Sequence, residues 1–116
     1  MKAICVDDDK KAVEYTLSLC RHLPLIDEAE GFVHAKDALE WLDEHTADIA
    51  LLDIHMPDMN GLELAAAIKK RQPDMAVVFL TAHAQYAVDA FAVRASGYLL
   101  KPITEERLAR ETRSAV

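Results

Sequence analysis

Cysteine is scarce in this sequence, with only two residues of that type, Cys5 and Cys20. Cys5 falls within an apolar run typical of a strand, and Cys20 falls within a pattern typical of a helix. Free cysteine is among the most buried residue types, so the sequence predicts two buried, reduced thiols rather than a disulfide. Reduced thiols are typical of the cytoplasm, which is the location we expect.

Basic residues are outnumbered by acidic ones. The chain has 13 lysines and arginines against 20 aspartates and glutamates, and its net charge is -7. Because phosphate backbones are bound by basic surfaces, this balance argues against direct binding of nucleic acid. A metal cation or a basic partner is the better expectation for a surface of this sign.

Long apolar runs, internal repeats and linkers rich in glycine and serine are nearly absent. The one long apolar stretch, residues 75–93, has about the length of a membrane span, but Thr81, His83, Gln85 and Asp89 interrupt it. A single aspartate near the middle of such a span costs about 2.5 to 3.5 kcal/mol, so we expect a buried strand and a helix, with no membrane contact. The opening residues do not resemble a signal peptide, and 116 residues fit one domain.

Short aliphatic runs alternate with longer segments of helical periodicity, which predicts an α/β fold with parallel strands and crossover helices. The runs are AICV, IALLD, AVVFL and GYLL, and the more polar IDEAEGFVH supplies a fifth strand at an edge of the sheet. Apolar residues mark the buried faces of three helices: Val13, Leu17 and Cys20; Ala35, Ala38, Leu39 and Leu42; Leu64, Ala65 and Ile68. Thr104 is a candidate cap for a final helix, with Glu105 and Glu106 in its first turn.

Chemically active side chains follow the strands of this predicted sheet. They are Asp7, Asp8 and Asp9 after the first strand, Asp53 after the third, Thr81 after the fourth and Lys101 after the fifth. Because ligands of such sheets bind beyond the carboxyl ends of the strands, we expect these residues to meet at one edge. Carboxylates are the hard oxygen ligands that Mg²⁺ prefers, so the sequence predicts a magnesium site there.

Asp53 is the residue on which this chemistry depends. It ends an apolar strand, where a charge has no structural use, and the loop IHMPDMNG follows it. A carboxylate in that position can accept a phosphoryl group as a mixed anhydride, with Mg²⁺ and Lys101 supplying positive charge and Thr81 a hydroxyl donor. Taken separately, the acidic triplet could be one helix cap and two solvated residues, Thr81 an ordinary strand residue and Lys101 a surface lysine.

In these motifs the chain resembles the receiver domain of two-component response regulators over essentially its whole length, residues 1–116. VDDDK resembles the acid pair of that family, LLDIHMPDMNGLEL its phosphoacceptor strand and loop, VVFLTAH its threonine strand and GYLLKP its Lys-Pro ending. The resemblance implies a doubly wound, flavodoxin-like sheet with strand order 2-1-3-4-5 and helices on both faces. It also implies a switch phosphorylated by a sensor histidine kinase, not an enzyme that turns over a metabolite.

The resemblance also assigns roles to the residues of the acidic edge. Asp53 is the phosphoacceptor, and Asp8, Asp53 and the backbone carbonyl of His55 bind Mg²⁺, with Asp7 acting through water. His55 and His83 are expected to shape the access of water to the phosphoryl group. A zinc or nickel site formed by their imidazoles is the alternative.

Further residues of the resemblance concern the response to phosphorylation. Thr81 and Lys101 contact the phosphoryl group, and Tyr98 is the aromatic switch residue whose rotamer follows Thr81. The Lys101-Pro102 peptide bond is expected to be cis. The expected switching face consists of the helix between the fourth and fifth strands, the fifth strand itself and the final helix.

A narrower resemblance connects FLTAHAQYAVDAFAVRASGYLLKP with receivers that precede a LytTR-type DNA-binding domain. Tyr86, Ala87, Ala90, Phe91 and Val93 carry this resemblance, and Ala92 and Gly97 depart from it. It implies control of transcription through an output domain that this chain does not contain. Tyr86 and Phe91 also leave an apolar surface in the predicted fourth helix, where we expect a homodimer contact.

Two other functions remain open from the sequence. One is a Mg²⁺-dependent phosphohydrolase with an aspartate nucleophile, but haloacid-dehalogenase-like enzymes carry Asp-x-Asp on the first strand. This chain has consecutive aspartates there and no cap segment. The other is a receiver-like domain that works through protein contacts without phosphorylation, and the presence of all the chemical residues weighs against it.

Overall fold

Strands and helices alternate along the chain, as the sequence predicts for an α/β fold. The computed structural model describes residues 1–86, 89–90 and 94–115, apart from the side chain of Tyr86. The strands are β1 (Lys2–Val6), β2 (Glu28–Phe32), β3 (Ile49–Leu52), β4 (Ala76–Thr81) and β5 (Gly97–Leu100). The helices are α1 (Lys10–Cys20), α2 (Ala35–Glu44), α3 (Gly61–Arg71) and α4 (Glu105–Ala115), with a short 3-10 helix at Ala84–Tyr86.

The five strands are parallel and pair in the order β2-β1-β3-β4-β5. This order confirms the predicted doubly wound sheet, and the polar β2 lies at an edge, as expected. Ala3 of β1 pairs with Ala29 of β2 on one side and with Ile49 of β3 on the other. Because all strands run in one direction, their carboxyl ends share one edge of the sheet.

Alternate residues of the strands point to opposite faces of the sheet, and each face has its own core. The core beneath α2 and α3 includes Ile4, Val6, Leu42, Leu52, Leu64, Ile68 and Phe79. The core beneath α1 and α4 includes Leu19, Cys20, Leu51, Val78, Leu99 and Leu108. The helices therefore cover both faces, which explains why β3 and β4 are apolar at nearly every position.

Polar caps fix where α3 and α4 begin. The side chain of Asn60 accepts a hydrogen bond from the Glu63 N–H at 2.8 Å. Thr104 Oγ1 accepts one from the Arg107 N–H at 3.2 Å, which confirms the predicted cap of the final helix. Each cap satisfies an N–H group that has no partner within its own helix.

Both cysteines are buried free thiols, as the sequence predicts. Burial raises the pKa of the Cys5 thiol to about 12 and that of the Cys20 thiol to about 11. Both side chains are therefore protonated at neutral pH, and neither has the thiolate character of a reactive cysteine.

The helix that the sequence predicts between β4 and β5 falls mostly outside the described part of the chain. The structure describes the 3-10 helix at Ala84–Tyr86 and helical residues at positions 89 and 90. Phe91 and the side chain of Tyr86, which carry the predicted apolar surface, lie outside the described residues, as do Ala87 and Val93. Within residues 1–86, 89–90 and 94–115, no helix is long and apolar enough to cross a membrane.

Candidate functional site

Three carboxylates from two neighbouring strand ends lie together at the carboxyl edge of the sheet. Asp7 and Asp8 follow β1, and Asp53 follows β3, which pairs directly with β1. One carboxylate oxygen of each residue lies within 4.8 Å of the others. The fold thus brings together acidic residues that are remote in sequence, as the pattern of strand ends predicts.

Hydrogen bonds fix the main chain from which these carboxylates project. The Asp53 N–H donates to the Val6 carbonyl at 2.9 Å, so strand pairing continues up to the site. The Asp9 N–H donates to Asp7 Oδ1 at 3.0 Å, which orients that carboxylate. The side chains of Asp7 and Asp53 are only 8% and 11% exposed, whereas Asp8 is an exposed residue.

The third residue of the acidic triplet has a different position. Asp9 is the N-cap of α1, and its Oδ1 accepts a hydrogen bond from the Lys11 N–H at 3.0 Å. The interpretation of the triplet as one cap and two solvated residues is therefore right for Asp9. It is wrong for Asp7, which is buried.

A lysine from the end of β5 supplies positive charge to the site. Lys101 Nζ lies 2.8 Å from Asp7 Oδ2 and 3.8 Å from Asp53 Oδ1. The Lys101 N–H donates to the Thr81 carbonyl at 2.7 Å, and the Lys101-Pro102 bond is cis, as the resemblance implies. Lys101 therefore belongs to the acidic site and is not an unpaired surface lysine.

The charged groups of the site change one another's protonation. Burial and the charge of Asp7 raise the pKa of the Asp53 carboxyl, while Lys101 opposes this shift. Burial lowers the pKa of the Lys101 ammonium, but its hydrogen bond to Asp7 and the charge of Asp53 outweigh burial, so the pKa is raised. The pKa of Asp53 stays raised because the Lys101 ammonium does not offset burial together with the charges of Asp7 and Asp8.

Thr81, His83 and Tyr98 are linked by hydrogen bonds at the ends of β4 and β5. Thr81 is fully buried, and its Oγ1 accepts a hydrogen bond from the His83 N–H at 3.2 Å. The Tyr98 hydroxyl donates to the His83 carbonyl. The backbone of His83 thus connects the two predicted switch residues. Its imidazole is in edge contact with that of His55, with ring centroids 4.4 Å apart.

The donor set of the carboxylate cluster fits a hard divalent cation. Among the described residues, the side chains grouped closely enough to hold a metal ion are those of Asp7, Asp8 and Asp53. Mg²⁺ is commonly bound by one or two carboxylates together with several waters. The imidazoles of His55 and His83 are not part of this group, so the zinc or nickel alternative has no support from the described residues.

Two side chains that contact the backbone around Lys101 were not predicted from the sequence. Arg107 Nη1 donates to the carbonyls of the residues before and after Lys101, at 3.1 and 3.3 Å. The Tyr15 hydroxyl donates to the Ile103 carbonyl at 2.6 Å, across 88 positions of the chain. A contact over that separation has no local sequence signal, and one arginine among the many charged residues of the final helix is unremarkable in the sequence.

Comparison with known proteins agrees with this arrangement. The sequence pattern of the response regulator receiver domain matches residues 3–113. This chain belongs to the response regulator receiver domain family. The match includes every strand and helix described above except the two ends of the chain, so the acidic edge of the receiver domain is within it.

Relatives of the receiver domain include regulators of transcription. This chain is 41% identical to the sensory transduction protein LytT of Bacillus anthracis over 113 residues, which are 95% of this chain and 45% of LytT. It is 40% identical to the transcriptional regulatory protein LytR of Staphylococcus aureus over 108 residues, 93% of this chain and 44% of LytR. These relatives confirm the narrower resemblance, and the chain spans about half of their length.

The fold of the receiver domain is also found in solved structures of the family. The BeF3-activated receiver domain of DrrB is 26% identical to this chain and superimposes with a TM-score of 0.86. The superposition covers 98% of this chain and 95% of the DrrB receiver. The doubly wound sheet and its covering helices are therefore shared over the whole domain.

Proposed function

We propose that this receiver domain is a phosphorylation switch in which Asp53 accepts a phosphoryl group from a sensor histidine kinase. The proposal rests on the position of the Lys101 ammonium, 2.8 Å from Asp7 and 3.8 Å from Asp53, within the carboxylate cluster. Phosphoryl transfer is catalysed mainly by positioning and electrostatic stabilisation, so a fixed cation beside a largely buried carboxylate is suited to it. The domain is a signalling domain that assists its own modification.

The proposed reaction is a displacement at phosphorus. A carboxylate oxygen of Asp53 bonds to phosphorus as the P–N bond of the kinase phosphohistidine breaks, and the imidazole leaves after taking up a proton from solvent. With acetyl phosphate as donor, the P–O bond breaks and acetate leaves. Water later attacks the phosphorus, which releases inorganic phosphate and restores the Asp53 carboxylate. Lys101 and Thr81 bind the phosphoryl oxygens.

The same proposal assigns the carboxylate cluster to Mg²⁺. Asp8 and Asp53 would hold the ion together with the backbone carbonyl of His55, and Asp7 would contact it through water. When bound, the ion offsets the charge of the carboxylates and of the phosphoryl oxygens. The clustered carboxylate oxygens and the raised pKa of Asp53 support this assignment.

The response to phosphorylation begins at Thr81 in this proposal. The added charge draws Thr81 and Lys101 inward, so the Thr81 hydroxyl leaves the His83 N–H, and the rotamer of Tyr98 follows Thr81. The switching face, formed by the β4–β5 connection, β5 and α4, then changes its preference for partners, including a second copy of the domain.

The output of the switch is proposed from the relatives. By likeness to LytT and LytR, phosphorylation controls transcription through a DNA-binding output domain. The receiver itself binds no nucleic acid, in keeping with the net charge of -7. Its place of action is the cytoplasm, where the kinase domain of a sensor meets its receiver.

Intact-mass spectrometry tests the proposal. With acetyl phosphate and MgCl₂, the wild-type protein should gain about 80 Da, the mass of one phosphoryl group. Asp53→Asn should gain nothing. Asp58→Asn, which changes an exposed carboxylate in the loop after β3, is the matched control and should gain the same mass as the wild type.

Two results would favour the other functions. An unchanged wild-type mass would contradict the proposal and favour a receiver that works without phosphorylation. Continuous hydrolysis of a phosphate monoester, abolished by Asp53→Asn, would favour a phosphohydrolase instead of a switch.

A further inference from the structure

The position of the Lys101 ammonium depends on the short connection between β5 and α4, residues 101–104. β5 lies at an edge of the sheet and pairs with β4, so the sheet holds this part of the chain from one side. A lysine side chain is long and rich in rotamers, so its ammonium keeps a fixed place only if its main chain is held. The contacts that hold residues 101–104 therefore affect the site directly.

Arg107 holds the backbone on both sides of Lys101. Its Nη1 donates to the Leu100 carbonyl at 3.1 Å and to the Pro102 carbonyl at 3.3 Å. These hydrogen bonds have a charged donor, which makes them stronger than bonds between neutral groups. The planar guanidinium thus links the carbonyls of the residues before and after Lys101 to the first turn of α4.

Tyr15 holds the same connection from the other covering helix. Its hydroxyl donates to the Ile103 carbonyl at 2.6 Å, and the side chain of Ile103 is buried in the core beneath α1 and α4. The backbone carbonyls at positions 100, 102 and 103 therefore all accept hydrogen bonds from side chains of α1 or α4. The main chain is therefore anchored at one carbonyl before Lys101 and at two carbonyls after it.

We propose that Arg107 is a positioning residue that, assisted by Tyr15, keeps the ammonium of Lys101 beside Asp7 and Asp53 for phosphoryl transfer. The inference rests on the proposed function, because it concerns the contribution of Lys101 to the reaction of Asp53. A displacement of about 1 Å at a reacting site is enough to slow a reaction strongly, so losing these bonds should reduce the rate without removing any group from the site.

The rate of phosphorylation by acetyl phosphate, followed by intact mass, is the first test. Arg107→Ala should react about tenfold more slowly, the usual consequence of losing hydrogen bonds from a charged donor. Arg107→Lys should recover part of the rate, because an ammonium can still donate to one carbonyl. The matched control is Arg110→Ala: Arg110 is exposed on the same helix, pairs with Glu106 at 3.5 Å, and its loss should change the rate by less than about twofold.

A double-mutant cycle separates positioning from general stabilisation. If Arg107 acts through Lys101, Arg107→Ala should have little further effect on the rate once Lys101→Met has removed the ammonium. If Arg107→Ala slowed phosphorylation equally in the wild type and in Lys101→Met, the inference would be overturned. A wild-type rate in Arg107→Ala would overturn it too.

Hydrogen exchange gives a readout that does not depend on phosphorylation. The Lys101 N–H is bonded to the Thr81 carbonyl, and its exchange should become faster in Arg107→Ala. The Asp53 N–H, bonded to Val6, is the internal control and should be unchanged. Failure of the wild type to gain mass would refute the proposed function. If the Lys101 N–H of Arg107→Ala exchanges at the wild-type rate, this inference is refuted and the proposed function is not.

Discussion

Replacing Asp53 with asparagine should make the domain more stable when no divalent cation is bound. Burial and the charge of Asp7 raise the pKa of Asp53, so the folded protein binds a proton at this carboxyl more tightly than the unfolded chain does. The resulting contribution to stability is fully present at a pH below the pKa that Asp53 has in the unfolded chain. It is lost as the pH rises through the higher pKa that Asp53 has in the folded protein. Near neutral pH the ionised side chain is therefore a net cost to folding.

The size of the effect follows from the distances in the site. At 4.8 Å, the upper limit of separation in the cluster, two unit charges repel by about 3.5 kcal/mol at an effective dielectric constant of 20. Asp53 faces two such repulsions, from Asp7 and Asp8, and one attraction of about 4.4 kcal/mol to Lys101 at 3.8 Å. Asp8 is exposed and the Lys101 side chain is 31% exposed, so solvent screening reduces the net repulsion. We therefore expect Asp53→Asn to raise the free energy of unfolding by about 1 to 2 kcal/mol.

Urea and thermal unfolding with EDTA present measure this difference. For a domain of this size, the expected rise in the free energy of unfolding corresponds to a Tm higher by about 4 to 8 °C in Asp53→Asn. Asp58→Asn is the control, and its stability should stay within about 0.5 kcal/mol of the wild type. In excess MgCl₂ the wild type should gain more stability than Asp53→Asn. A variant less stable than the wild type in EDTA would refute the view that these carboxylates are crowded.

Other predictions concern a glycine beside the site, a buried thiol and the metal. Gly61→Ala should slow phosphorylation, because an added Cβ would lie 2.1 Å from the Asp53 carbonyl oxygen. In Gly31→Ala, the added Cβ would lie 2.5 Å from a side chain of α1, so this variant should be less stable but, once folded, should be phosphorylated at the wild-type rate. Equally slow phosphorylation of Gly61→Ala and Gly31→Ala would contradict this prediction. Burial raises the pKa of the Cys20 thiol to about 11, so at neutral pH thiol reagents should label it far more slowly in the folded than in the unfolded protein. Rapid labelling of Cys20 in the folded protein would count against its burial. Asp8→Asn should weaken Mg²⁺ binding by about tenfold or more in calorimetric titration, whereas unchanged affinity would exclude Asp8 from the site.

The sheet could be predicted from the sequence because its central strands are buried on both faces. That burial requires nearly continuous apolar runs, which end where polar, chemically active residues begin, so Asp53 and Thr81 stand out at the ends of β3 and β4. The cap at Thr104 has an equally local signal. The cis bond before Pro102 followed only from the family resemblance, because proline alone leaves the trans form favoured.

The remaining features of the site depend on contacts between distant parts of the chain. Asp7, Asp8 and Asp9 have the same chemistry in the sequence, yet one is buried against Lys101, one is exposed and one caps α1. Only the packing of the sheet edge separates these roles. The bond between Tyr15 and the loop after β5 likewise has no pattern in the sequence, because it arises where α1 and α4 meet.

The proposed switch requires that the phosphoryl group is bound to Asp53. Treating the phosphorylated protein with borohydride reduces an aspartyl phosphate to homoserine, and tandem mass spectrometry of its peptides then identifies the modified position. We expect homoserine at position 53 alone. Homoserine at position 7 or 8, or a phosphoryl group that survives borohydride on another side chain, would contradict phosphorylation of Asp53.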